Sequence, residues 1–264
     1  MRKIGIIADA VGGLSAEEYV KTIASLGFET SFTGMGSERY HLEMAELFQK
    51  YGIEYETVHA PFGRINDMWK AGEDGDAMCR QLTDCVDRCA LVGVPVAVVH
   101  LSSGIKAPSI TDIGRERFAA LVAHAKDKGV CIAFENQRKL ANIAWVFEAF
   151  ENEAHVRFCW DCGHEACFSP GREYMPLFGD KLVCLHLHDN YAVFDGDSHL
   201  LPFDGKIDFC KVADYINSYG YEGSIMLEVF KGDHGIYGDL SAYGYLERAR
   251  DAALRLRDLA EARR

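Results

Sequence analysis

Eight short β-branched and apolar runs alternate along this chain with longer segments of helical period, and that alternation restricts the fold more than any other feature. The runs are KIGIIAD (3–9), FETSFT (28–33), YETVHA (55–60), VAVVHL (96–101), VCIAFE (130–135), VRFCWD (156–161), LVCLHLH (182–188) and SIMLEV (224–229). Between them lie amphipathic stretches such as SAEEYVKTIASLG, HLEMAELFQKYG and GRERFAALVAHAKDKG, several closing on Gly27, Gly52, Gly93, Gly129 or Gly220. A glycine just past the last helical turn is a stop signal, and a strand following within a few residues is the βα alternation of a parallel sheet. The runs are almost continuously apolar, as strands covered on both faces must be.

Eight such units in 264 residues predict a single (β/α)8 barrel, the TIM-barrel architecture, over 1–264. An open doubly wound sheet is the competitor, but strand one is followed by ADAVGGLS, without the G-x-G-x-x-G turn common in that fold. No linker or low-complexity segment divides the chain. A long polar loop is expected over 189–206 and a closing helix over 243–261.

With 28 Lys+Arg against 40 Asp+Glu the net charge is -12, which disfavours non-specific binding to nucleic acid. No stretch approaches the roughly 18 apolar residues of a membrane span, and the N-terminus lacks an export signal, so a cytoplasmic location is the default expectation. The nine cysteines then read as reduced thiols, those in apolar runs such as Cys131 and Cys184 packing as small hydrophobes. Cys159-x-x-Cys162 lacks the second pair that a structural zinc site requires.

Polar residues gather where the strands end: His59, His100, Glu135, Asp161 followed by His164, then His186, His188 and Asp189, and finally Glu228, with Asp197 and His199 on the long loop. In a parallel barrel all these ends share one rim. A single strand-end histidine is most simply a hydrogen-bonded structural residue. Glu135 and Glu228 differ: each ends an apolar strand with no Lys or Arg adjacent, so each needs a partner or a metal to offset desolvation. Two Glu, one Asp and one His make an oxygen-rich set suited to Mn2+ or Mg2+, with Co2+ and Zn2+ also compatible.

IAFEN (132–136), WDCGH (160–164), LHLHDN (185–190), DSHLLPFDGKIDF (197–209) and IMLEVF (225–230) resemble the motifs of the xylose isomerase-like barrel superfamily over nearly the whole chain. That superfamily includes ketose 3-epimerases, inosose dehydratases and endonuclease IV. The resemblance implies a divalent metal on Glu135, Asp161, His186 and Glu228, with His186 preferred to His188 because Asp189 stands three residues on. It implies a metal-dependent isomerase or epimerase acting on a small carbohydrate through an enediolate, with Glu135 and Glu228 moving protons. His59, His100, Asn136, His164, His188, Asp197 and His199 are then expected to contact substrate.

Three rivals accompany this reading. One is a dehydratase of a keto-sugar or keto-cyclitol on the same site. Another is an endonuclease IV-like phosphodiesterase holding three zinc ions on His59, His100, Glu135, Asp161, His164, His186, Asp197, His199 and Glu228. The third is a non-catalytic sugar-binding barrel. Two departures stand out: Leu201-Pro-Phe-Asp-Gly205, where sugar-acting relatives carry Pro-Gly, is expected to reshape the pocket floor, and Ser31-Phe32 stands where an acidic residue is common in relatives. Phe32, Phe62, Trp69 and Phe230 are candidate pocket walls or barrel filling. Barrels of this type often pair, so a homodimer is an expectation, with neither a nucleic-acid nor a membrane partner.

Overall fold

The computed structural model describes residues 1–232 and 235–264. Its strands are β1 (Ile4–Ile7), β2 (Thr30–Gly34), β3 (Glu54–His59), β4 (Val96–His100), β5 (Cys131–Glu135), β6 (Val156–Asp161), β7 (Leu182–His186) and β8 (Ile225–Leu227). They form one sheet in the order β7-β6-β5-β4-β3-β2-β1-β8. Every pairing along it is parallel. The two ends meet where Leu187 donates to Met226 O (2.9 Å) and Glu228 donates to Leu187 O (3.1 Å). The expected (β/α)8 barrel is the fold.

The helices among the described residues are α1 (Ala16–Leu26), α2 (Glu38–Tyr51), α3 (Glu73–Val92), α4 (Asp112–Lys128), α5 (Leu140–Ala149), α6 (Cys162–Phe168), α7 (Met175–Phe178), α8 (Phe209–Ser218) and α9 (Ala242–Ala262). None is long and apolar enough to cross a membrane. Gly27, Gly52, Gly93 and Gly129 close α1 to α4 in the left-handed conformation, where only glycine escapes the Cβ penalty. The long loop runs from β7 to α8 and touches itself through an antiparallel bridge between Asp189 and Leu200.

Strand parity puts the functional side chains in one layer. Residues two apart on a strand share a face. Val98, Ala133, Cys159 and Cys184 form a buried cluster of their own, separate from the larger core. Two residues further along their strands stand His100, Glu135, Asp161 and His186. Register aligns this upper layer: His100 pairs with Glu135, and Asp161 with His186. Cys159 thus serves as packing beneath the site, and Cys162 donates its thiol to His188 O (3.4 Å), so the C-x-x-C is not a metal pair.

Candidate metal centre and cavity

Glu135, Asp161, His186 and Glu228 each offer a ligand atom within 4.8 Å of the others. All four are buried. The set carries unmet hydrogen-bonding capacity: among the described residues both ring nitrogens of His186 lack a hydrogen-bond partner, and Glu135 Oε1 faces ring nitrogens of His164 (3.1 Å) and His186 (3.5 Å). His186 Nδ1 lies 3.4 Å from Glu228 Oε2 and 3.5 Å from Glu135 Oε1. Its ring is stacked on Phe32, with centroids 4.6 Å apart. An orphaned buried polar atom costs about 1–3 kcal/mol, so converging orphans on hard donors fit a divalent ion. Without one, protons must serve. Burial opposes a charge on His186, but Glu228 and Glu135 outweigh it and push the ring up to about 10. Burial would raise Glu135, yet His100, His186 and His164 hold its carboxyl well below the usual range.

Two further groups adjoin this one. His59 Nδ1 donates to Ala60 O (2.8 Å), which turns Nε2 toward the site. That atom lies 3.1 Å from Glu135 Oε2 and 3.2 Å from His100 Nε2. His100 Nε2 is itself 2.8 Å from the same oxygen. On the other side, ligand atoms of His164, His188, Asp197 and His199 lie within 4.8 Å of one another. Asp197 Oδ2 sits 3.2 Å from His164 Nε2 and 3.2 Å from His199 Nε2. The whole strand-end constellation therefore converges in space.

Asp161 is placed by several contacts. It is the N-cap of α6 and accepts from the His164 main-chain N–H (2.6 Å), which explains the D-x-x-H spacing. The Asn136 side chain extends the β5–β6 ladder by accepting from Asp161 N and donating to Asp161 O, both at 2.8 Å. His188 Nε2 lies 3.1 Å from Asp161 Oδ1. Asn136 and His188 are fully buried and do not border the cavity. Both side chains meet Asp161, and His188 Nε2 also lies 3.6 Å from Asp197 Oδ1. Asp189 works in the same way on the long loop, its carboxylate accepting from the main-chain N–H groups of Asn190, Gly205 and Ile207.

The family model described as xylose isomerase-like TIM barrel matches residues 20–259. The chain belongs to this family. The uncharacterized protein y4fM of Sinorhizobium fredii is 29% identical over 194 residues, a match spanning 67% of this chain and 60% of that relative. Among solved structures, a D-tagatose 3-epimerase-like protein superimposes with TM-score 0.76 at 21% identity, covering 99% of this chain and 98% of its own. D-psicose 3-epimerase from Clostridium cellulolyticum H10 gives TM-score 0.77 at 17% identity, with 98% and 99% coverage. At such identities these two structures show the shared fold.

In this xylose isomerase-like barrel Glu135 and Glu228 open onto a cavity of about 270 Å3 that is also lined by His59, Phe62, His100, His164, Asp197 and His199, together with Ser103, Gln137, Arg138 and Phe168. The last four escaped sequence reasoning, although Gln137 and Arg138 directly follow the Glu135-Asn136 pair. Gln137 Nε2 reaches His164 Nδ1 at 2.9 Å. Of the aromatic candidates, Phe62 borders the cavity and Phe32 lies beneath His186. Phe230 packs on His199, with centroids 5.1 Å apart. Trp69 is no pocket wall: it is buried against Phe118 and Trp145 and donates to Leu101 O (2.6 Å). The Leu201–Gly205 segment does not border the cavity either; Asp204 accepts from Tyr237 and from Arg248 on α9 (2.8 Å each).

Proposed function

We propose that this chain is a divalent-metal-dependent isomerase or epimerase of a small sugar or sugar derivative. The observation that carries the reading is the buried four-donor set with unpartnered ligand atoms, two of whose carboxylates, Glu135 and Glu228, also border a monosaccharide-sized cavity. The structural neighbours, a D-tagatose 3-epimerase-like protein and a D-psicose 3-epimerase, support the same chemistry.

Glu135, Asp161, His186 and Glu228 would hold Mn2+ or Mg2+. Such an ion supplies Lewis-acid polarisation of a carbonyl, which lowers the pKa of the adjacent C–H. The protein's own part is proton transfer. Glu228 would accept a proton from the carbon next to the carbonyl, leaving an enediolate. Glu135 then delivers a proton on the opposite face, with His100 and His59 on its Oε2 to relay it.

The test is exchange in D2O. Full-length protein loaded with Mn2+ and given D-fructose, D-tagatose and D-psicose is expected to place one solvent deuterium on carbon and to form an isomer of otherwise unchanged mass. Loss of one water would establish the dehydratase instead. Absence of exchange and of any isomer across ketoses, keto-sugars and their acidic derivatives would overturn the proposal.

A second reading has an observation of its own. The His59–His100–Glu135 and His164–Asp197–His199 groups flanking the four donors resemble a three-cation phosphodiesterase centre. The net charge of -12 weighs against a nucleic-acid substrate, and the narrow cavity weighs against a duplex. Bound zinc near three ions per chain would favour this second reading.

A further inference from the structure

Arg138 stands three residues after Glu135 and borders the same cavity. Among the residues lining that cavity it is the one permanent cation; the others carry carboxylates, imidazoles, amide, hydroxyl or phenyl groups. Its guanidinium carbon lies 3.4 Å from the centroid of the Phe168 ring. Phe168 is in turn stacked on His164, with centroids 4.7 Å apart. Nε donates to Asp195 Oδ1 at 2.8 Å, and Nη2 donates to the same oxygen. Nη1 makes no hydrogen bond among the described residues. Lys139, the next cation along the chain, is turned away to Pro108 O (2.9 Å).

A guanidinium fixed over an aromatic face has lost its rotamer freedom before any ligand arrives, and its planar fork matches a carboxylate or phosphate. The neighbouring negative charges are already engaged. Asp197 is bracketed by His164 and His199, and Glu135 and Glu228 belong to the metal set. Asp195 occupies the Nε edge of Arg138 and leaves Nη1 unused. A cavity of about 270 Å3 lies at the small end of ligand pockets, which run from ~300 Å3 upward, and so admits one monosaccharide.

We infer that the substrate is an acidic monosaccharide whose carboxylate or phosphate is received by Arg138, which makes Arg138 the residue that sets preference for an anionic sugar over a neutral one. The inference rests on the sugar isomerase reading above.

The experiment is calorimetric titration of the Mn2+-loaded full chain with D-fructose, D-fructose 6-phosphate and D-glucuronate, repeated with Arg138→Met and Arg138→Lys. At least one anionic probe is expected to bind tenfold or more tightly than D-fructose. Arg138→Met is expected to bring that ratio near one, and Arg138→Lys to keep part of it. Whichever anion is preferred identifies phosphate or carboxylate as the group. Equal binding of all three probes to the unsubstituted protein would overturn the inference. So would parallel weakening of all three by both variants, the pattern of a residue that merely pins the Asp195 loop. Deuterium exchange on neutral ketoses without an anion preference would overturn this inference and leave the isomerase reading intact. Arg138-dependent anion binding without exchange on any sugar would do the reverse.

Discussion

Replacing Glu135 or Glu228 by glutamine is expected to lower kcat/KM by about 100- to 10,000-fold, the range for loss of a positioned acid or base. Glutamine keeps the size of the side chain but cannot accept a proton, and it removes one negative charge from a site where three buried carboxylates converge with His186. The effect at Glu135 extends further, because His100 and His59 both lie within hydrogen-bond distance of its Oε2 and would face an amide instead. Assay at saturating Mn2+ separates the two contributions: a loss of metal affinity is restored by excess ion, whereas a loss of proton transfer is not. Turnover within twofold of the unsubstituted protein for both variants would show that these glutamates do not carry the chemistry.

Gly163→Ala is expected to destabilise the fold and weaken metal binding together. A Cβ at this position would lie 1.9 Å from His188 Cε1 and 2.3 Å from Nε2. The ring has nowhere to retreat: it is fully buried and stacked on His199 with centroids 4.1 Å apart. Alanine inside a helix normally gains about 1 kcal/mol over glycine, but overpacking a tight core costs about 1–3 kcal/mol, and a contact this short puts the balance on the side of loss. A net change of about 1–2 kcal/mol corresponds to a fall in Tm of roughly 2–8 °C for a chain of this size. Because His188 also contacts Asp161, its displacement should lower Mn2+ affinity by about 10- to 100-fold, as loss of a group supporting a metal ligand commonly does. In a double-mutant cycle, His188→Ala should absorb most of the penalty of Gly163→Ala. An unchanged Tm and unchanged Mn2+ affinity for Gly163→Ala would remove His188 from this supporting role.

The sequence exposes the barrel and its layer of strand-end polar residues for one reason: both follow from periodicity. An apolar strand that ends in Glu135 or Asp161, with small residues two positions earlier, can only point that carboxylate into the top of the barrel. Helix-closing glycines mark the returns, and α9 lies within one residue of its expected ends at each side. What periodicity cannot give is which neighbour a buried polar side chain satisfies. Asn136 and His188 read from the sequence as substrate contacts; the fold adds that the Asn136 amide meets the main chain of Asp161 and His188 Nε2 its carboxylate, 25 or more positions away. Trp69 reads from the sequence as either a cavity wall or packing, and the short 3-10 turn Ile65–Trp69 decides for packing by setting it against Phe118 of α4 and Trp145 of α5. Gln137 and Arg138 were within reach, since a chain leaving a barrel strand must cross the rim. Their cavity-lining role depends on Phe168 and Asp195, which only the fold brings near.

The loop from 191 to 207 holds the least predictable part of the site. Ala192, Asp195, His199 and Phe203 all have positive φ, and no other non-glycine residue among those described does. Such conformations cost on the order of 1–3 kcal/mol each and persist only where surrounding contacts fix them. Here the contacts are visible: Asp189 gathers three main-chain N–H groups, the Asp189–Leu200 bridge closes the base, and His199 Nδ1 donates to Glu228 O at 2.8 Å. The strained backbone delivers Asp197 and His199 to the cavity beside Glu228.

The claim on which the rest depends is that four strand-end residues hold a divalent ion, and metal analysis by mass spectrometry after equilibration with micromolar Mn2+ and exhaustive buffer exchange tests it most directly. The arrangement of Glu135, Asp161, His186 and Glu228 predicts one tightly held ion per chain, absent from Asp161→Ala and His186→Ala. Retention of no ion by the unsubstituted protein, or undiminished retention by both variants, would contradict it.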